Sequence, residues 1–463
     1  MDILPDIKLV LLWSDMLIFI LVAALCVVFT LLKNSPQTRN NWVKVFQSRI
    51  GMATFIVIVV YVFIALLDSI HYQKALPATS ESEDIHYSNE VFSTLDWVLL
   101  DMKDSVEKTY SSPFSLYSFE KENMHDEQGR MYRDYPRLAM SGLHITDVTT
   151  KSSDIFLQSI NAVGMGGVLA VFTVMMMNWL RQRFLQHLKL PWSTIYITVF
   201  VILIAVTWVL NLGGSYHILG TDKVGIDVLY ISIKSIRTGV LIGTLSTMLA
   251  LPFAITLGIS AGYFKGWVDD IIQYVYTTLS SIPSILLIAA AVLVIDVYIE
   301  THAESFALII HRADFKFLAL CFIFGLTSWT GLCRLLRAET LKVSQLDYVQ
   351  AAQAFGVSHR RIIFRHILPN VMHLVIISLV LNFSGFVLAE SVLAYVGVGV
   401  DASMMSWGNM INSARQELSR DPTVWWSIAS AFILMFVLVL AANLFSDKVR
   451  DAFDPRTARG GVN

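Results

Sequence analysis

Long apolar runs separated by short polar connections set the pattern of this chain. Nine runs stand out, at roughly 9–32, 50–70, 160–180, 194–212, 238–262, 271–297, 317–336, 371–390 and 425–446, each near the ~20 residues a helix needs to cross ~30 Å of hydrocarbon. Lipid offers a backbone N–H or C=O no partner, so a run of this kind must bond internally and is predicted to be helical. The fold class that follows is an all-α polytopic membrane protein.

The connections orient the spans. The stretch 33–49 holds Lys33, Arg39, Lys44 and Arg49 and no acid, and 181–189 holds Arg181, Arg183 and Lys189. The stretch 334–365 holds six Lys/Arg against two acids. These three are cytoplasmic by the positive-inside rule. Residues 71–159 carry fifteen acids against eight Lys/Arg and fit the opposite side. The assignments alternate consistently, with the N-terminus outside and the C-terminus inside. The first ten residues hold Asp2, Asp6 and Lys8, and no Ala-x-Ala-like site follows the apolar stretch to Leu32. That stretch is therefore expected to be a retained span rather than a cleaved leader.

Composition agrees: 55% of the 463 residues are hydrophobic and only 15% charged, where a soluble chain has about a quarter charged. Net charge is −2 and points to no nucleic-acid partner. Cys26, Cys321 and Cys333 lie in apolar runs without metal-ligand spacing, as small buried hydrophobes do. The polar stretch 71–159, with Pro77, Pro113 and Pro136, is read as either a small external domain or a partly disordered loop.

A faint echo links two places. Leu143-His144, Asp147 and Asp154-Ile-Phe-Leu-Gln-Ser-Ile160 resemble His217, Asp222 and Asp227-Val-Leu-Tyr-Ile-Ser-Ile233. Partial duplication and chance similarity both account for it. His217, Asp222 and Asp227 could also suggest a metal site. A polar turn capping a helix that starts near Asp227 is the preferred reading. Glu390, near an outer membrane boundary, is expected to hold the Gly-rich loop after it rather than touch solute.

The most informative stretch is Asp347 to Asn370. Asp347 is a candidate cap for a short Ala-rich helix, which Gly356 stops through a left-handed turn. Ser358 can cap a second, basic helix, which Pro369 ends or bends at the membrane. Such an elbow on the cytoplasmic face can dock into a groove of another protein, or lie on anionic lipid through its arginines.

Gln350, Ala351, Ala352, Gly356, Leu368 and Pro369, in the spacing Gln-Ala-Ala-x3-Gly-x10-Ile-Leu-Pro, resemble the loop by which ABC importer permeases bind their ATPase. The usual Glu is Gln350 here. Four further stretches resemble the C-type subunit of dipeptide/oligopeptide permeases in the correct order: His217 to Asp227 (with Ile226 where a basic residue is common), Ala261 to Asp269, Ala389 to Met410, and Asp451 to Arg456. The resemblance covers about 213–456. It implies a type I ABC importer permease core at 213–456, with a coupling loop at 338–369. Residues 1–70 would be N-terminal spans, 71–159 an external soluble segment, 160–212 two additional spans and 457–463 a tail. It also implies partners: a second homologous permease, one or two ATPase subunits carrying ATP and Mg, a periplasmic solute-binding protein, and the bilayer of a bacterial inner membrane. The chain would bind no cofactor and catalyse nothing itself, since it has no Gly-x4-Gly-Lys-[Ser/Thr] phosphate loop. ATPase closure would push the elbows together and tilt the attached helices. Ala351, Ala352 and Gly356 would pack in the ATPase groove, while Arg360, Arg361 and Arg365 meet acids or lipid phosphates.

Two other classes compete. An ion-gradient-driven secondary transporter usually carries ionisable residues inside its spans, whereas Asp296, Arg334 and Glu390 fall near span ends. A membrane sensor or assembly factor would use 71–159 as its receptor. The inserted region 71–212 is expected to modify the transporter rather than build its path, with Gly164, Gly166 and Gly167 allowing close helix approach.

Overall fold

The structure is a computed structural model that describes residues 7–32, 36–75, 87–88, 90–126, 130–184, 186, 189–306 and 308–453. Lys33, Pro77, positions 454–456 of the last resembling stretch and the tail 457–463 lie outside the described residues, as does the side chain of Cys26.

In chain order, strand β1 (Ile7–Val10) leads into α1 (Trp13–Leu32), α2 (Pro36–Gln47) and α3 (Arg49–Asp68). The external stretch holds β2 (His71–Lys74), β3 (Phe92–Ser93), α4 (Thr94–Val98), α5 (Leu100–Asp104), β4 (Glu122–His125) and β5 (Met131–Asp134). Then come α6 (Lys151–Phe184), α7 (Trp192–Gly213), α8 (Val228–Phe264), α9 (Gly266–Ser281), α10 (Ser284–Thr301) and α11 (Ile309–Val343). The chain closes with α12 (Asp347–Ala354), α13 (His359–Ile362), α14 (Leu368–Tyr395), α15 (Trp407–Arg415) and α16 (Trp426–Phe453). Among the described residues eight helices are long and apolar enough to cross a membrane, and the chain is an all-α multi-pass membrane protein.

Three expectations change. The run 9–32 starts as a strand, because Leu9 and Val10 pair with Tyr72 and His71. The basic connection 33–49 contains a helix. Pro36 sits at its first position, where a missing N–H costs nothing, and its Trp42 stacks on Phe46 at 5.9 Å and meets Phe453 edge-on at 5.6 Å. The run 271–297 is two helices rather than one. The chain is extended at Ile282, and Pro283 precedes α10, since proline can neither donate to the preceding turn nor clear its carbonyl.

The described chain forms two compact units. The first comprises residues 1–11, 55–238 and 405–437. Here the described residues of 71–159 fold onto the 214–227 turn. Ser111 donates its N–H to Thr221 Oγ1 at 2.7 Å, Thr221 donates to the Thr109 carbonyl at 2.8 Å, and Trp426 donates to the Thr221 carbonyl at 2.9 Å. Tyr110 and Phe119 close on the Trp426 ring, and Arg420 meets Glu120 at 2.5 Å. Lys234, on α8, pairs with Asp96 at 2.6 Å and Asp68 at 3.3 Å. Strand β1 pairs antiparallel with β2, so the segments before α1 and after α3 share one side of the membrane, as the charge rule requires.

In the same unit α6 and α7 form a close hairpin. Ala162, Gly166 and Ala170 are the buried positions of α6, one turn apart along one face. A β-carbon at Gly166 would collide with Thr207 Oγ1 and come 3.1 Å from Ile204 Cα, whereas Gly164 and Gly167 face open space. Only the middle of the three glycines therefore serves close approach.

The second unit comprises residues 12–54, 239–404 and 438–463. Its core gathers Ala254, Trp329, Leu336, Val349, Ile362 and Val371. Helix α1 packs on α11, where the Ser14 N–H donates to the buried Asp314 at 3.3 Å. Arg337 of α11 holds Asp269 of α9 with two bonds, at 2.5 and 2.6 Å.

Sidedness has a direct test. Lys108, with 78% of its side chain exposed, is a suitable probe. In intact spheroplasts an impermeant maleimide is expected to label Lys108→Cys, and Gln353→Cys only after lysis. The reverse pattern would invert the topology.

Candidate functional site

The 347–369 elbow forms in the second unit. Its first helix is not capped by Asp347. Leu346 holds the capping position with extended backbone and no side-chain bond, and Asp347 is the first helical residue, where its charge still favours the positive helix end. The exit follows the pattern expected of glycine. Gly356 adopts φ +72, its N–H donates to the Gln353 carbonyl at 3.0 Å, and the Val357 N–H donates to the Ala352 carbonyl at 3.1 Å. This paired closure takes up two of the last carbonyls of α12. A β-carbon at Gly356 would meet nothing within 4 Å, so backbone conformation, not space, demands glycine.

Ser358 occupies the capping position of α13 without a side-chain bond. Pro369 does not end a helix; it lies in the first turn of α14. A widened turn over Ile363–Ile367 joins α13 to α14 and absorbs the hydrogen bond that proline cannot donate.

The inner face of the elbow is pinned. Val349, Ile362 and Ile367 are fully buried, a burial worth about 2 kcal/mol each. Tyr348 Oη accepts from the Asn370 amide at 2.9 Å. The outer face is open. Gln350, Ala351, Arg360, Arg361, Arg365 and Pro369 are exposed, with Ala352 and Leu368 half-buried. None of the three arginines forms an ion pair with a described residue. Phe355 is 86% exposed and Phe364 68%. Beside the bend a groove of about 430 Å³ is lined by Tyr263, Phe264, Gln353, Gly356, Val357 and His359, among others. Sequence reasoning missed Phe355 and Tyr263. The first sits inside the motif as an unremarked spacer, and the second lies 96 residues from its partner.

The external candidates sit in the first unit, except Glu390. His217 Nδ1 lies 2.8 Å from Asp227 Oδ2, and its other ring nitrogen lies 3.6 Å from Glu107. Asp227 caps α8 by accepting from Leu229 N at 2.8 Å and Tyr230 N at 3.1 Å. Glu107 accepts from the backbone of Ala139, Met140 and Ser141. Burial alone would push the His217 imidazole down, but Asp227 and Glu107 hold it up at about 9. Burial would likewise raise Glu107, but His217 and three N–H donors pull it down to about 2. Asp222 closes the turn by accepting from Val224 and Ile226, and burial pushes its carboxyl up. Asp222, Asp227 and Glu107 accept from the backbone, Asp227 meets His217 Nδ1, and the buried His217 Nε2 has no partner within hydrogen-bond distance; among the described residues no group of three or more His, Cys, Asp or Glu is placed to hold a metal. Glu390 lies in the second unit, buried in α14 five residues before its end, where the Ser391 hydroxyl is 3.4 Å away.

The sequence echo extends to the folded chain. His144 Nε2 meets Asp154 Oδ2 at 2.8 Å, so both stretches join a histidine to an aspartate ten residues on, in or beside the first turn of a long helix. The first pair is partly exposed and the second buried, and Tyr216 ties them by donating to Asp154 at 2.6 Å.

Against known proteins, residues 254–459 match the family described as binding-protein-dependent transport system inner membrane component. The oligopeptide transport system permease protein of Mycobacterium bovis is 32% identical over 251 residues, 54% of this chain and 80% of that protein. The dipeptide transport system permease protein of Alkalihalophilus pseudofirmus is 31% identical over 240 residues, 52% of this chain and 72% of that protein. The glutathione transport system permease protein of Pectobacterium atrosepticum is 30% identical over 243 residues, 52% of this chain and 74% of that protein.

Proposed function

The chain belongs to the binding-protein-dependent transport inner-membrane components, as a C-type peptide permease subunit, and from that premise we propose that it builds the solute path of an ATP-driven importer with a second, homologous permease. One or two ATPase subunits, carrying ATP and Mg, grip the 347–369 elbow. A periplasmic binding protein delivers a di- or oligopeptide or a similar small solute at the external side. The chain supplies no chemistry of its own; it converts movement of the elbow into tilting of the helices attached to it.

The observation that carries this reading is the two-faced elbow. Three buried aliphatic residues fix it to the membrane helices, while the opposite face presents Phe355 and three arginines without acidic partners among the described residues. A phenyl ring left in water forgoes about 2–3 kcal/mol, which a partner groove recovers by burying it. The arginines suit carboxylates on that groove's rim or lipid phosphates. Gln350 in place of the usual acid leaves docking to shape and to these contacts.

Co-purification from detergent tests the reading. The ATPase subunits are expected to accompany the native chain and to be depleted in Phe355→Ala. Gly356→Val forces a β-branched residue to positive φ, costing about 1–2 kcal/mol of backbone strain, and redirects Phe355 relative to α13. It is expected to stay in the membrane and to lose solute-stimulated ATP hydrolysis. Normal stimulated hydrolysis in Gly356→Val would sink the assignment.

A further inference from the structure

We infer that Tyr263 is a positioning residue that ties the elbow to the inner end of α8. Its Oη lies 2.8 Å from His359 Nδ1, where α12 has just turned into α13. The two rings meet edge to face at 5.6 Å, and Phe264 adds a second edge contact at 5.9 Å. Tyr263 is buried and is the penultimate residue of α8.

That end of α8 moves as one body with α11. A β-carbon at Gly258 would lie 2.7 Å from the Cys333 carbonyl oxygen, and one at Gly262 would lie 2.6 Å from that of Arg337. Backbone contact at these positions leaves no slack, because packed surfaces change arrangement as blocks rather than by continuous deformation. Val349, Ile362 and Ile367 hold the elbow by apolar contact, which is non-directional and permits sliding. The Tyr263–His359 bond is directional and fixes register. A push on the elbow is thereby delivered to the α8–α11 pair instead of being spent as slip along the groove floor. This rests on the elbow being the ATPase contact.

The test uses the complete complex of both permeases and ATPase subunits in nanodiscs, with spin labels at Gln353→Cys on the elbow and Thr256→Cys on α8, both exposed positions. The label distance is expected to be the same in nucleotide-free and vanadate-trapped complexes of the otherwise native chain. In Tyr263→Phe a second distance is expected on trapping, its population raised about fivefold, the weight of one hydrogen bond. His359→Gln, which keeps a polar partner for Tyr263, is expected to keep the single distance, and His359→Ala to match Tyr263→Phe. A single unchanged distance in Tyr263→Phe overturns the inference, as does a Tyr263→Phe chain that no longer retains the ATPase subunits, since the residue would then merely fold the elbow. If the native chain retains no ATPase at all, the reading of the elbow fails instead.

Discussion

Replacing Glu107 by alanine is expected to destabilise the external unit by about 3–5 kcal/mol, the usual cost of removing one partner from a buried ion pair. The carboxylate does two jobs. It accepts three consecutive backbone N–H groups at Ala139, Met140 and Ser141, and it faces the buried, cationic His217. Alanine leaves three donors unmet and half of the charge balance of His217 missing, with only Asp227 remaining. Glu107→Gln keeps an acceptor and removes the charge, so its effect is expected to be smaller. The pH dependence has a definite sign. The imidazole is raised from 6.5 to about 9, so its contribution is complete below 6.5 and lost as pH climbs through 9. The carboxyl is lowered from 4.5 to about 2, so its contribution is complete above 4.5 and lost as pH falls through 2. The gap between native and Glu107→Ala proteins in thermal unfolding is therefore widest between pH 4.5 and 6.5 and narrows above 9 to the part that comes from the three N–H donors. A gap that does not change across that range would show that the ion pair carries none of it. Excising 75–155 removes Glu107, Ser111 and Asp96 at once and leaves His217 only Asp227 and Lys234 only Asp68, so a coupled core is not expected to survive it.

Substituting leucine at Gly262 is expected to be as damaging. The seam between α8 and α11 is built by Ala254, Gly258 and Gly262, one turn apart on α8 and each buried. The nearest atom to a β-carbon at Gly262 is a backbone carbonyl oxygen, with Thr340 Cβ next at 2.7 Å. Neither is the loose end of a flexible side chain, so the helices must separate. Overpacking in a core costs about 1–3 kcal/mol for single methylenes, and an entire leucine side chain exceeds that. In lipid it is close contact of this kind that holds helices together, since apolar burial gives them no preference over acyl chains. The measurement is the yield of folded chain and its melting temperature in detergent. Gly331→Ala is the control, because a β-carbon there meets nothing within 4 Å. Equal behaviour of Gly262→Leu and Gly331→Ala would show that the seam is not tight.

What the amino-acid sequence determined by itself is what depends on neighbours in the chain. The membrane helices were legible because lipid leaves an apolar backbone one way to satisfy its hydrogen bonds. The outline of the elbow was legible because positive φ at Gly356 is a single-residue preference. Errors arose where a local signal had two outlets. Hydropathy averaged across Pro283 joined α9 to α10, Asp347 looked like a cap one residue too late, and Pro369, expected to end or bend a helix, lies just past a widened turn in the first turn of α14. Only the tertiary structure decided which polar residues meet. Glu107 lies 110 residues from His217, Asp96 lies 138 from Lys234, and Tyr263 lies 96 from His359. No spacing rule encodes such pairs. Burial does: once folding removes water, each buried charge or hydroxyl must be met by whatever the fold brings beside it, and that is a property of the packed chain, not of its order.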